Sequence, residues 1–323
     1  MAPSNFKYDP EFAAFINQFE FPPPPKFKDV VEVQIYTNDV ASRLKSDSPP
    51  IPEHILHTKI PFETHDATIL NLHRFTQANK AHDRKQPAVL FIHGGGMVAS
   101  SVELTAHDVA SQVDLYGLDF FAVEYRLAPK QTGPYLTEDV YFGLKHLSEH
   151  AGDYNIDNKR IAVMGISAGG GLAAATVLLA RDRALEPPIA KQILVYPMLD
   201  DRTRLPDDSP YSKFLVWTEN ANKLSWDAVL GKDVAGDPSA NVSIYAAPGR
   251  ATDLRGLPPA YIEVGQLDLF LNEDIAYASK LAANEVQVEL HVWPGLPHAF
   301  ELASNISLVK QSIEAKRRAL RMI

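Results

Sequence analysis

The apolar, strand-like run Ile161-Ala162-Val163-Met164 passes directly into Gly165-Ile166-Ser167-Ala168-Gly169-Gly170 and then into an alanine-rich helical stretch over residues 172–184. A strand that turns sharply into a helix with a serine at the corner leaves almost no space for side chains two residues before and two after it. Gly165 and Gly169 stand at those two places. From Pro87 onward, apolar runs at 88–92, 120–123, 193–196, 260–264 and 288–292 alternate with helical patterns. That alternation is the signature of a parallel sheet with crossover helices, so the expected fold is α/β.

A serine hydroxyl is a poor nucleophile at neutral pH and needs a general base, an orienting carboxylate and donors for the oxyanion that forms on attack. Residues 260–264 lead into Gly265-Gln266-Leu267-Asp268, and residues 288–292 lead into Pro294-Gly295-Leu296-Pro297-His298. Ser167, Asp268 and His298 each follow a strand in the order Ser, Asp, His, which is that of α/β-hydrolases and differs from those of trypsin and subtilisin. Strand 88–92 runs into His93-Gly94-Gly95-Gly96-Met97, where consecutive glycines let amides turn toward one point. The expected oxyanion donors are the amides of Gly94 and Gly95, with that of Ala168 at the start of the helix, where the dipole favours negative charge. His93 is read as fixing this loop, not as a base.

With these motifs in hand, the chain resembles the hormone-sensitive-lipase-like family of carboxylesterases, which carries H-G-G-G upstream of G-x-S-A-G-G. Tyr125-Arg126-Leu127-Ala128-Pro129, Gly265-Gln266-Leu267-Asp268 and the late Pro297-His298 extend the likeness, which runs from about residue 50 to residue 300. It implies an α/β-hydrolase fold: a mostly parallel eight-stranded sheet flanked by helices, with a helical cap. Three positions depart from the family pattern. Ile166 stands where many members have Asp, Leu269 where Pro commonly follows the acid, and Ala299 where Gly often follows the His. The second departure leaves Asp274 as an alternative acid.

The segment 200–250 interrupts the strand–helix alternation, opens on Asp200-Asp201-Arg202-Thr203-Arg204 and carries Phe214, Leu215, Val216, Trp217 and Trp226. An aromatic insertion there suits a cap, and the resemblance adds residues 1–50 to it. The expected organisation is therefore an N-terminal part of the cap at 1–50, hydrolase core at 51–199, cap insertion at 200–250 and core again at 251–323. Met97, Phe214 and Trp217 are candidates for the substrate pocket. Within residues 10–20 an amphipathic helix starts at Pro10 with Phe12, Phe15, Ile16 and Phe19 on one side, stopped by Phe21-Pro22-Pro23-Pro24-Pro25. A second helix is expected over 30–44, then strands at 54–63 and 67–75 around a turn at 64–66.

Composition narrows the function classes. The net charge of −9 argues against a nucleic-acid partner, which needs clustered Lys and Arg. The basic group Lys316-Arg317-Arg318 with Arg321 reads as cations closing the last helix. No run of eighteen apolar residues suggests a membrane span, and residues 1–10 lack the apolar region of a signal peptide. The chain has no cysteine, which excludes disulfides and thiol catalysis and fits a cytoplasmic location, with the sequons at Asn241 and Asn305 unused. The histidines, His54 and His57 among them, lack metal-ligand spacing, so neither metal nor cofactor is expected.

The expected activity is a serine carboxylesterase that hydrolyses short- to medium-chain small-molecule esters through an acyl-enzyme. A lactonase or amidase with the same triad, or a non-hydrolytic ligand-binding relative, are the alternatives. The resemblance leans toward a homodimer paired through the last strand and helix.

Overall fold

The computed structural model describes residues 6–18, 24–78, 84–206 and 209–323. Its strands are β1 Ile55–Glu63, β2 Ile69–Gln77, β3 Gln86–Ile92, β4 Asp119–Val123, β5 Ile156–Ile166, β6 Lys191–Val195, β7 Ala260–Gly265 and β8 Val288–Trp293. They form one eight-stranded sheet in the order β1-β2-β4-β3-β5-β6-β7-β8. β1 pairs antiparallel with β2 and β2 with β4, whereas every pairing from β4 through β8 is parallel. The helices are α1 Pro10–Ile16, α2 Val30–Asp47, α3 Val102–Tyr116, α4 Tyr135–Glu149, α5 Ala168–Asp182, α6 Glu219–Leu230, α7 Leu271–Ala283 and α8 Ser307–Leu320.

A parallel strand covered on both faces has no reason to alternate apolar with polar. β4, β6 and β7 are accordingly buried at every position. The period of two shows instead in which core each residue enters. Leu90, Val163 and Ile262 face α4, α5 and α7, while Val89, Phe91, Met164 and Val264 face α3 and α8. Ser101 caps α3 by accepting from the Leu104 amide at 3.2 Å, and Gly117 ends it in the left-handed region at φ 68°.

α5 begins at Ala168, immediately after the corner serine, and not at Leu172 as its alanines suggest. Gly169, Gly170 and Gly171 are buried against the sheet, so their small size serves packing in a place where it reads locally as helix-breaking. α1 is capped by Asp9 and ends at Ile16; Phe19 and Phe21-Pro22-Pro23 lie outside the described residues. α2 continues to Asp47.

Between β6 and β7 the chain makes a 3-10 turn at Ser212–Phe214, α6, and a second turn at Pro248–Arg250. This segment meets the N-terminal one: α6 packs on α2, the Phe27 amide donates to Asn220 Oδ1 at 2.7 Å, and Phe214 stands edge-on to Tyr8 at 5.0 Å.

Lys316 departs from the sequence reading. It is buried, not a solvent cation at a helix end, and its ammonium pairs with Glu263 inside β7, which also accepts from Tyr261, Trp293 and Ser312. A carboxylate buried in mid-sheet needs that many donors to offset its desolvation. Among the described residues no helix is long and apolar enough to cross a membrane.

Candidate active site

Ser167 sits at the end of β5 with φ 56° and ψ −122°, a conformation that only surrounding structure can hold. Its amide donates to Val195 O at 2.9 Å, and its carbonyl accepts from Met198 N at 3.0 Å. The turn is so tight that a Cβ on Gly169 would lie 2.1 Å from Ile92 O, and one on Gly165 would lie 2.0 Å from Gly169 O. No side chain fits at either place.

The loop after β7 and the loop after β8 are tied together by the bond from Leu267 N to Leu296 O at 2.9 Å. They bring Asp268 and His298 to the serine. The Ser167 hydroxyl lies 3.0 Å from His298 Nε2, and His298 Nδ1 lies 2.7 Å from Asp268 Oδ2. The other carboxylate oxygen of Asp268 accepts from the Phe270 amide at 3.0 Å, which fixes its plane. Ser167 is 7% exposed and His298 9%, so the chain of hydrogen bonds lies in a nearly closed site. The imidazole is flanked by the ring of Tyr196, 4.4 Å between centroids, and by the edge of Phe270 at 5.4 Å.

Asp274 does not join this arrangement. Its carboxyl is fully buried in α7, both oxygens lack a hydrogen-bond partner among the described residues, and burial together with the nearby charges of Glu273 and Asp268 pushes its pKa far up. A group in that state stays neutral and does not orient an imidazole.

The glycine loop passes beside the serine: a Cβ on Gly94 would come within 3.3 Å of Ser167 Cβ. Gly95 takes φ 107°, and its carbonyl accepts from the amides of Val98 and Ala99 at 3.1 and 2.9 Å. The amides of Gly94, Gly95 and Ala168 donate to no acceptor among the described residues. His93 is wholly buried, burial pushes its pKa down to about 4, and its Nδ1 donates to Gly94 O at 2.8 Å while its ring stacks on Tyr125 at 4.4 Å. A neutral imidazole used in this way holds the loop. The Tyr125 hydroxyl donates to His93 O at 3.0 Å, and beside it Arg126 clamps buried Asp139 with two nitrogens and reaches Asp66 with a third.

Of the pocket candidates, Met97 belongs to the loop itself and Trp217 lies against it, for a Cβ on Gly96 would come 2.5 Å from its indole and 3.0 Å from Ser225 Oγ. Met97 is buried in the core at φ 64°, and Phe214 packs on Tyr8. The sequence reading missed Gln34 and Asn38 of α2, which bind this loop, and it missed Tyr196 and Glu301 beside His298. Nothing local in the sequence marks them, because the hydrogen bonds of Gln34 and Asn38 to the loop and of Tyr196 to Glu301 join residues far apart in the chain. His54 pairs with Asp114 and His57 with His73, and among the described residues no group of His, Cys, Asp and Glu is clustered for a metal ion.

Comparison with known proteins places these features in context. The family described as the alpha/beta hydrolase fold matches residues 89–302. Esterase LipI of Mycobacterium tuberculosis is 36% identical over 72% of this chain and 71% of its own length. Carboxylesterase NlhH of the same organism is 33% identical over 66% of each chain. The solved structure of a bacterial heroin esterase superimposes with a TM-score of 0.87 at 33% identity, covering 98% of both chains.

Proposed function

Because the chain belongs to the α/β-hydrolase fold family and is an ester hydrolase of the carboxylesterase kind, we propose that Ser167, His298 and Asp268 are its catalytic triad. The observation that carries this reading is the continuous hydrogen-bond path from the Ser167 hydroxyl through both nitrogens of His298 to Asp268.

The chemistry follows from those contacts. As Ser167 Oγ attacks the ester carbonyl carbon, His298 Nε2 takes its proton, and Asp268 stabilises the imidazolium through the Nδ1–H bond. The negative charge that builds on the former carbonyl oxygen meets the amides of Gly94, Gly95 and Ala168, which have no competing acceptor. Collapse expels the alcohol, protonated by Nε2, and leaves an acyl group on Ser167. Water, deprotonated by the same nitrogen, releases the acid and restores the serine.

The N-terminal segment 1–50 and the insertion 200–250 act in this reading as one cap, supported by the contacts of α2 with α6 and of Tyr8 with Phe214. Trp217 closes the cap over the glycine loop and bounds the acyl side. The preferred substrates are therefore esters of short to medium acids, about four to eight carbons, each added methylene being worth roughly 0.8 kcal/mol until the space is filled. Labelling with a fluorophosphonate followed by peptide mass spectrometry tests the nucleophile: the adduct is expected on Ser167, and an adduct elsewhere overturns the assignment.

A further inference from the structure

Beside His298 lies a pair of residues that the triad reading does not use. Tyr196 immediately follows β6 and takes φ 35°, a backbone conformation that is costly for a bulky side chain and persists only where neighbours enforce it. Its amide is held by Glu263 O at 2.6 Å, and its ring is fully buried between the imidazole of His298 and Phe300, at 4.4 and 5.6 Å between centroids. Its hydroxyl donates to Glu301 Oε1. Glu301 stands three residues after His298 in the middle of the short 3-10 turn Phe300–Leu302, and its Oε2 is buried without a hydrogen-bond partner among the described residues.

We propose that Tyr196 and Glu301 are positioning residues for the general base, the tyrosine ring fixing the plane of the His298 imidazole and the glutamate supplying a second negative charge that favours imidazolium. The inference rests on the triad reading above. Strain at Tyr196 is explained by this role, since the left-handed turn is what swings the ring out of the line of β6 and against the imidazole. A buried carboxylate is expensive unless a cation or donors face it. The groups that face this pair are the His298 ring and Asp268 on the active-site side, Lys316 from α8, Glu263 from β7 and Tyr116 at the end of α3. Burial is the largest influence on the Glu301 carboxyl and leaves it raised above the ordinary carboxylate range, although the Tyr196 hydroxyl, the His298 ring and Lys316 each draw it down. Burial and the neighbouring carboxylates keep the Tyr196 hydroxyl protonated, so it serves as the donor. When His298 takes the serine proton, the new charge therefore has two carboxyl groups near it, one bonded to Nδ1 and one bonded to the tyrosine whose ring lies against the imidazole.

The test compares Glu301→Gln, Tyr196→Phe and the double variant with the unaltered enzyme, following hydrolysis of a p-nitrophenyl ester from pH 5 to 9. Glutamine keeps an acceptor for the tyrosine but carries no charge. Removing a negative charge near imidazolium makes the base easier to deprotonate, so the acid limb of kcat/KM moves down by about one pH unit and plateau kcat falls about tenfold, with KM unchanged. Tyr196→Phe leaves the ring but takes away the carboxylate's donor, so it shifts the limb in the same direction. The double variant is expected to match Glu301→Gln alone, because the two act as one unit. A purely structural role would lower thermal stability and leave the acid limb in place, and that outcome overturns the proposal, as does additivity of the two changes. Ser167→Ala and His298→Ala are run alongside. If either retains turnover the triad reading itself fails, whereas if both are inactive and the limb does not move, only the present inference falls.

Discussion

The Ser100 amide donates to Asn38 Oδ1 at 2.8 Å, and one turn earlier on α2 the side-chain amide of Gln34 donates to Val98 O at 2.9 Å and to Ala128 O at 3.2 Å. Residues four apart on one helix face thus hold the segment 98–100 that closes the glycine loop. In chain order this helix comes long before the loop it fastens, so under the proposed mechanism the N-terminal segment would help to shape the oxyanion donors. Asn38→Ala is expected to lower kcat about three- to tenfold with little change in KM, and the Gln34→Ala/Asn38→Ala pair more. An oxyanion donor lost outright costs about 10²–10³ in rate, and loosening its loop costs a part of that. Steady-state kinetics on a p-nitrophenyl ester give the answer, with a KM-only effect counting against the idea.

Gly95→Ala attacks the same loop directly. A Cβ there meets Ala99 O at 2.2 Å and sits on a backbone at φ 107°, so the loop must move. Gly94→Ala meets its nearest atom, Ile166 O, at 3.1 Å and demands only a small shift. The Gly95 change is therefore expected to reduce kcat by about 10² or more and the Gly94 change by clearly less. Circular dichroism on both variants separates lost folding from lost catalysis.

The two candidate acids are told apart by charge state. Asp268→Asn disturbs the bond that orients His298 and is expected to cut kcat by about 10⁴, as in triads generally. Asp274→Asn replaces a carboxyl that is already neutral, so kcat should stay within a few-fold. Its effect shows in stability. The native carboxyl keeps its proton at pH values where the unfolded chain, near 3.9, has released it, so the unaltered protein loses stability as pH climbs from that range toward the raised native value. The Asn variant lacks this slope. Denaturation midpoints between pH 4 and 9 are expected to fall less steeply for Asp274→Asn than for the unaltered chain, and parallel curves would refute it.

Trp217→Ala removes the indole that lies on Gly96 and opens space beside the loop. The acyl-length optimum on p-nitrophenyl esters should move upward by two or more carbons, since each methylene that finds apolar surface gains about fourfold in kcat/KM. An unchanged profile would mean that the indole serves packing alone.

Ala299, directly after the triad histidine, holds φ 59°. An alanine in the left-handed region is strained by about 1–2 kcal/mol, part of which glycine gives back through its greater freedom when unfolded. Ala299→Gly is thus expected to raise stability by up to about 1 kcal/mol in urea denaturation while kcat stays within twofold. A loss of stability would show that the loop tolerates alanine without strain.

Much of this architecture was legible because local rules and the global fold agree. Apolar runs ending in Gly-Ile-Ser-Ala-Gly, Gly-Gln-Leu-Asp and Leu-Pro-His mark the strand ends, and those strand ends are adjacent because parallel strands all present their carboxyl ends to one side. Ser167, Asp268 and His298 could be named from that order, and their bonding distances needed only the fold. Other features depend on distances that no local pattern encodes. Lys316 reads as a helix-end cation until β7 places Glu263 beneath it. Asp274 reads as a spare acid until α7 turns it inward, away from every donor. Tyr196 and Glu301 are 105 residues apart, and Gln34 is 64 residues from Val98, so their partnerships exist only once the sheet is assembled.

The backbone of Ser167 is bonded on both sides to β6 and the residues that follow it, through Val195 O and Met198 N. β5 itself lies between β3 and β6, well inside the sheet, where strand edges cannot fray. The proposed nucleophile is therefore mounted on an inner strand of the sheet, while the proposed cap segments ride on helices outside it. Amide hydrogens around Ser167 are therefore expected to exchange more slowly than those of α2 and α6, and substitutions in those two helices to leave the Ser167 turn undisturbed.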